Sequence, residues 1–378
     1  MRGVFADIVG QELAVSILTR ALEQGPSHAY LFTGPAGVGK TETALAFAAG
    51  LACSEGGCGT CATCKRVQHG LHPDVEIVSA EGNVIRKEEI AEINLHAVYR
   101  PFEARAKVYV FPEADSLNVE ASNAFLKTLE EPPGHVFFIL VTDHPERLLP
   151  TVVSRCQSVT FTPVPAGAIV EDLETRLGLP AGEAQLVARV AGGNLRYARE
   201  LATSNDVRRQ RTLLLDAARD LPQGSLLDIE VALDDVLATV DGRSLEREAQ
   251  LEAELKQALE WAGDARTRNW LQKRHEEKLK RQQRRLTTQG LQAVTHIFAA
   301  WYRDLAAVAV GADQAVLNQD RLSELQEVAR PERLAQYTQA VATVRRANER
   351  LRYNVDARCA IGDMFRSIKE ALTQWPML

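Results

Sequence analysis

The segment Gly34-Pro35-Ala36-Gly37-Val38-Gly39-Lys40-Thr41 has the glycine, lysine and hydroxyl spacing of a phosphate-binding loop. Its glycines let backbone N–H groups crowd around phosphate oxygens at a helix start, Lys40 adds positive charge, and the Thr41 hydroxyl can ligand magnesium. Further on, Cys53, Cys58, Cys61 and Cys64 follow the spacing C-x4-C-x2-C-x2-C, with Gly56, Gly57 and Gly59 between them. Four thiolates close a tetrahedron around zinc and leave no open position, so the expected role is structural rather than catalytic. An iron–sulfur centre is the rival reading, although no other redox feature accompanies the cluster. Four free thiols would be an oxidation liability.

A nucleotide hydrolase also needs a strand that ends in a carboxylate to organise magnesium and the attacking water. The candidate, Lys107-Val-Tyr-Val-Phe111, runs into Pro112-Glu113-Ala114-Asp115. Glu113 stands where a catalytic glutamate belongs, but Pro112 carries no carboxylate and Asp115 lies three residues beyond it. The expected ligand is therefore ATP or ADP with magnesium, held through Gly34, Gly37, Gly39, Lys40 and Thr41, with weak hydrolysis or none.

These groups need a frame. Tyr30 to Thr33 reads as a strand feeding the loop, and Glu42 to Leu51 as the helix after it. Further strands are predicted at 73–78, 107–111, 136–141 and 159–161, and helices at 85–98 and 118–131, the last stopped by Pro132-Pro133-Gly134. The alternation predicts an α/β fold with a parallel sheet, whose ligand groups lie beyond the carboxyl ends of the strands. Residues 163–206 follow as a small helical unit in which Ala184, Leu186, Val187, Val190 and Ala191 suit one packed helix. From residue 207 to 378 strand signals nearly vanish, and Leu251, Leu255 and Leu259 recur four apart. Cys156 reads as a partly buried apolar thiol.

Bulk properties narrow the function. With 378 residues, a net charge of -6 and 25% charged residues, the chain is neither a strongly basic nucleic-acid binder nor an acidic disordered tail. DNA contact would have to come from a local patch, and residues 273–285, with seven Lys or Arg against two Glu, are the candidate. A solvated helix face is the blander reading of that run. Trp261, Trp270, Trp301 and Trp375 need not stack on bases, since Phe298, Trp301 and Leu305 have the spacing of a helical core. No apolar run approaches eighteen residues and no secretory pattern opens the sequence, so a cytoplasmic protein is expected.

Further segments make the reading specific: Ile8-Val-Gly-Gln11, His28-Ala-Tyr-Leu-Phe-Thr-Gly34, Ala124-Phe-Leu-Lys-Thr-Leu-Glu-Glu-Pro-Pro133 and Ser154-Arg155-Cys156. With the cysteine knuckle placed directly after the first loop helix, they resemble the clamp-loader branch of the AAA+ ATPases, and within it the delta-prime type of DNA polymerase III subunit. The resemblance covers about the first 205 residues well and the rest loosely. It implies an AAA+ P-loop domain over 1–162 with the knuckle 53–64 inserted, a small helical lid domain over 163–206, and an all-helical C-terminal collar domain over 207–378.

The resemblance also implies residue roles. Arg155 would be an arginine finger reaching into a neighbour's nucleotide site, Thr142 would sense the terminal phosphate, and Arg196 would be the lid arginine. Pro112 departs from the pattern of the ATPase subunits and favours a stator. Implied partners are the gamma or tau and delta subunits, the sliding clamp and primer–template DNA, within a nucleoid-associated replisome. The alternatives are an ATP-hydrolysing gamma/tau-like motor and a structural DNA-binding replication protein.

Overall fold

The computed structural model describes residues 3–79, 84–240, 265–352 and 355–373, with backbone alone for 265–282, 284–285, 289 and 352. They form two compact units, Met1–Ala202 and Thr203–Leu378.

In the first unit, five short runs rich in β-branched and aromatic residues become β1 (Ala29–Thr33), β2 (Val75–Ile77), β3 (Lys107–Phe111), β4 (Val136–Thr142) and β5 (Gln157–Thr160). All neighbours are parallel, in the order β2-β3-β4-β1-β5. Such pairing needs crossovers, supplied mostly by helices; the elements before β5 include α1 (Glu12–Gln24), α2 (Lys40–Ala52), α3 (Ala62–Gln68), α4 (Lys87–Ala97), α5 (Val119–Glu130) and α6 (Pro150–Val153). β4 is buried along its whole length, which is why its sequence is unbroken apolar VFFILV before Thr142. Phe138 meets Phe125 edge to face, with centroids 4.9 Å apart, and stacks on Tyr109. Truncating such a ring to alanine typically costs about 3–5 kcal/mol.

Boundaries shift where local hydrogen bonds outcompete periodicity. The helix predicted from Ile85 starts at Lys87, because Ile85 instead bridges to Leu117. Asn118 is a cap, its side chain accepting the Ala121 N–H, so α5 starts one residue later than its pattern. The strand predicted over 73–78 keeps only its middle, Val75–Ile77. Asp74 uses its carboxylate to accept the N–H groups of Phe102, Glu103 and Ala104, fixing the approach to β3.

Parallel order brings every strand's carboxyl end to one edge. Thr33 pairs in register with Thr142 on one side and Thr160 on the other, so Gly34, Asp143 and Pro112 all leave the sheet there.

The same unit includes α7 (Ala166–Leu177), α8 (Ala181–Ala191) and α9 (Leu195–Thr203). Ala184, Val187, Val190 and Ala191 are buried, as their spacing predicts, but Leu186 is exposed, being two residues round the helix from Ala184.

The second unit is helical among its described residues: α10 (Asn205–Asp220), α11 (226–240), α12 (Ala265–Ala309), α13 (Leu322–Val328), α14 (Leu334–Arg352) and α15 (Ala357–Thr373). Phe298, Trp301 and Leu305 are core, and Phe298 stacks on Phe365 at 5.0 Å. Leu251, Leu255, Leu259, Trp261 and Trp375 lie outside the described residues. Trp270 and all but one residue of the basic run 273–285 lie where α12 is described by its backbone alone.

Candidate nucleotide site and cysteine knuckle

The chain turns out of β1 at Gly34 and re-enters a helix through Gly39, which caps α2 at φ +97°, a left-handed conformation that L side chains rarely adopt. At Gly37 a Cβ would stand 1.9 Å from Asn194 Oδ1, so only glycine admits the Asn194 side chain against the loop. Lys40 opens α2 and is 5% exposed. Its Nζ donates to the carbonyls of Gly34, at 2.8 Å, and Pro35, and pairs with Asp143 Oδ1 at 2.6 Å. Thr41 follows in the first turn, half-buried.

Gln11 straps the loop from outside. Its buried amide donates to Val38 O at 3.2 Å and Thr162 O at 2.7 Å, and its carbonyl accepts the Thr162 N–H at 3.2 Å. Cutting it back to alanine would orphan these backbone groups.

At the end of β3 the chain has no carboxylate at Pro112, and Glu113 is exposed. Asp115 is committed elsewhere: its Oδ1 accepts the Thr142 hydroxyl at 2.7 Å and its Oδ2 lies 3.6 Å from the Arg147 guanidinium. Thr142 is buried, and its oxygen also accepts the His144 N–H at 2.8 Å.

The knuckle sits on the α2–α3 connection. Cys53 follows the last turn of α2 and Cys61 caps α3, where its sulfur accepts the Cys64 N–H. The sulfurs of Cys53 and Cys61 are 3.8 Å apart, and those of Cys53 and Cys58 and of Cys58 and Cys64 are each 4.0 Å apart. A tetrahedral zinc with bonds of about 2.3 Å spaces its sulfurs about 3.8 Å apart, so the four donors fit such an ion. Backbone N–H groups of Glu55, Cys61 and Cys64 point at three of the sulfurs from 3.4 Å. Those of Thr60 and Cys61 pull the Cys58 thiol down to about 6, toward the thiolate that a metal needs. Cys156 contrasts with it: burial pushes its thiol up to about 12, which suits the inert packing role its sequence context predicts. The knuckle is tied to its surroundings by Val4 N–H donating to Gly57 O and by Arg66 of α3 pairing with Glu103 at 2.6 Å.

Residues 10–165, which contain the loop, the knuckle and the sheet edge, match the family described as DNA polymerase III, delta subunit. That stretch carries the domain of this DNA polymerase III subunit family. It is 39% identical over 208 residues to the tau subunit of Bacillus subtilis, covering 52% of this chain and 37% of that protein. To the delta' subunit of the same organism it is 34% identical over 209 residues, covering 54% and 63%. It thus spans less than two thirds of either relative. A gamma subunit-related protein from Thermotoga maritima superimposes with a TM-score of 0.38 at 15% identity, over 95% of this chain and 99% of that one, too loosely to argue from.

The two remaining arginines differ in placement. Arg196 comes to the loop through its backbone: its N–H donates to Gly37 O at 3.1 Å, while its guanidinium lies 3.8 Å from Glu200. Asn194 caps α9 by accepting the Tyr197 N–H, so the helix begins on the loop itself. Arg155 has its hydrogen-bond partners on α5 and α6, donating to Thr151 O at 2.9 Å and pairing with Glu130, and its side chain is one third exposed. Sequence reading gave no role to Gln11, Asp143 or Asn194. Each acts through a partner far along the chain, and no local pattern marks that contact. Among the described residues no helix is long and apolar enough to cross a membrane.

Proposed function

We propose that this chain is a delta-prime-like subunit of the replicative clamp loader: a stator that holds ATP or ADP with magnesium, turns it over weakly or not at all, and lends Arg155 to a neighbouring ATPase subunit. The observation that carries this reading is the end of β3, where Pro112 brings no carboxylate and Asp115 is bound to Thr142 and Arg147. Glu113 remains there as an exposed carboxylate, but no metal-organising carboxylate precedes it. Gly34, Gly37, Gly39, Lys40 and Thr41 retain the donor chemistry for phosphate and magnesium, which supports binding without turnover. Arg155 sits at a helix end on the surface, reachable by another chain once Glu130 is exchanged for phosphate oxygens.

The partners on this reading are gamma or tau, delta, the sliding clamp and primer–template DNA, in the cytoplasm at the replisome. The knuckle holds structural zinc, because four thiolates in a closed tetrahedron suit zinc and leave no site for substrate. A second reading, a gamma/tau-like motor, draws on the intact loop and on the 39% identity to a tau subunit.

One experiment separates them: clamp- and DNA-stimulated ATP hydrolysis by loader reconstituted with Arg155→Ala or Lys40→Ala versions of this chain. Loss of a trans arginine should slow the site it serves by roughly a thousandfold or more, while Lys40→Ala leaves total turnover within about twofold. The reverse pattern would make this chain a motor and remove the stator reading.

A further inference from the structure

Asp143 is the first residue beyond β4, and β4 lies between β1 and β3 in the sheet. Its carboxylate therefore leaves the sheet one strand nearer the phosphate loop than position 112, where the proline stands. It is directed at the loop lysine: Asp143 Oδ1 is 2.6 Å from Lys40 Nζ, whose other two donors go to Gly34 O and Pro35 O. All three donors of the ammonium are thus taken by groups of this chain, one of them an anion. Asp143 is one third exposed and so can re-aim, whereas Asp115 is tied on both oxygens.

This arrangement has a charge consequence. A phosphate that takes Lys40 must displace a carboxylate and then sit beside it, two anions around one ammonium. Metal-free nucleotide gains the lysine but meets the repulsion; nucleotide carrying a divalent cation brings the charge that cancels it. The donor set fits magnesium, since a threonine hydroxyl and a carboxylate are the hard oxygen ligands it prefers.

We propose that Asp143 is a metal-selective gate on the phosphate loop: it holds Lys40 while the site is empty, disfavours metal-free nucleotide, and supplies the carboxylate facing the cation that position 112 lacks. This rests on the nucleotide binding proposed above and adds the form of nucleotide that is accepted.

The test is equilibrium titration of the full chain with a fluorescent ADP analogue, in magnesium and in EDTA, for wild type, Asp143→Asn and Asp143→Ser, with circular dichroism to confirm folding. The wild type is expected to bind at least tenfold more tightly with magnesium. Both variants should shrink that ratio at least fivefold, chiefly by tightening binding in EDTA. An unchanged ratio in both folded variants overturns the gate, even if affinity rises equally in the two conditions, because Asp143 would then only occupy Lys40. Absence of binding by wild type in either condition overturns the nucleotide reading itself, and the gate with it.

Discussion

Cys53, Cys58, Cys61 and Cys64 lie within twelve residues and meet sulfur to sulfur, whereas the candidate nucleotide edge gathers Gln11, the loop 34–41, Asp115, Thr142, Asp143 and Asn194 from across the first unit. The knuckle is short-range in sequence and rich in donors, and on the zinc reading proposed above the metal is the main tie between its sulfurs. Hydrogen bonds to sulfur are weak, and three of those present come from backbone at 3.4 Å. The edge is long-range and internally satisfied. Lys40, Thr142 and Gln11 each have firm partners within this chain. Removing the ligand should therefore unmake the first region and leave the second standing.

The sharpest way to break that contrast is to replace two ligands, Cys58→Ser with Cys61→Ser. Loss of a structural metal belongs to the small class of changes that cost more than about 4 kcal/mol, so the variant should lose bound metal and show a large fall in denaturant midpoint. A wild-type midpoint without any bound zinc would erase the distinction between the regions.

A smaller effect is expected on the other side. Gln11→Ala orphans Val38 O, Thr162 O and the Thr162 N–H, a penalty of about 1–3 kcal/mol for buried groups left unpaired. Metal content should stay at the wild-type level. Zinc loss in this variant would mean that the two regions are not independent.

The smallest effect is a pH slope beside the knuckle. His72 is buried, and burial first, then the charge of Arg66, hold its imidazole below its usual value. The unfolded chain therefore takes up the proton before the folded one does. Stability from this residue is fully present above about pH 6.5 and is lost as pH falls below it, by at most about 1.4 kcal/mol per pH unit. Equilibrium unfolding of wild type and His72→Gln across that range should show a steeper slope in the former.

What could be read from sequence follows the same division. The loop, the knuckle and the parallel α/β pattern are local signals, in which residue types at fixed spacing impose their own geometry. The strands at 107–111 and 136–141 emerged almost as their apolar runs predict. Missed features depend on pairing across the fold: Gln11 reaches Thr162, Thr142 reaches Asp115, and Asp143 reaches Lys40. A lone glutamine or aspartate carries no periodicity, so its role appears only once the strand order β3-β4-β1-β5 is known. Helix starts failed for a similar reason, since Ile85 is diverted to Leu117 and Asn118 to its capping bond.

The register of β1 also sets an order of events during synthesis. A chain growing from its N-terminus holds all four knuckle sulfurs once residue 64 has emerged, and closing loops this short is entropically cheap. Residues 29–33, by contrast, have no sheet neighbour until 138–142 arrive, and their second neighbour comes only with 157–160. Asn194 closes on Gly37 later still. The cysteine module can thus mature while the ribosome is still making the sheet, and the phosphate loop acquires its final walls only when nearly the whole first unit exists.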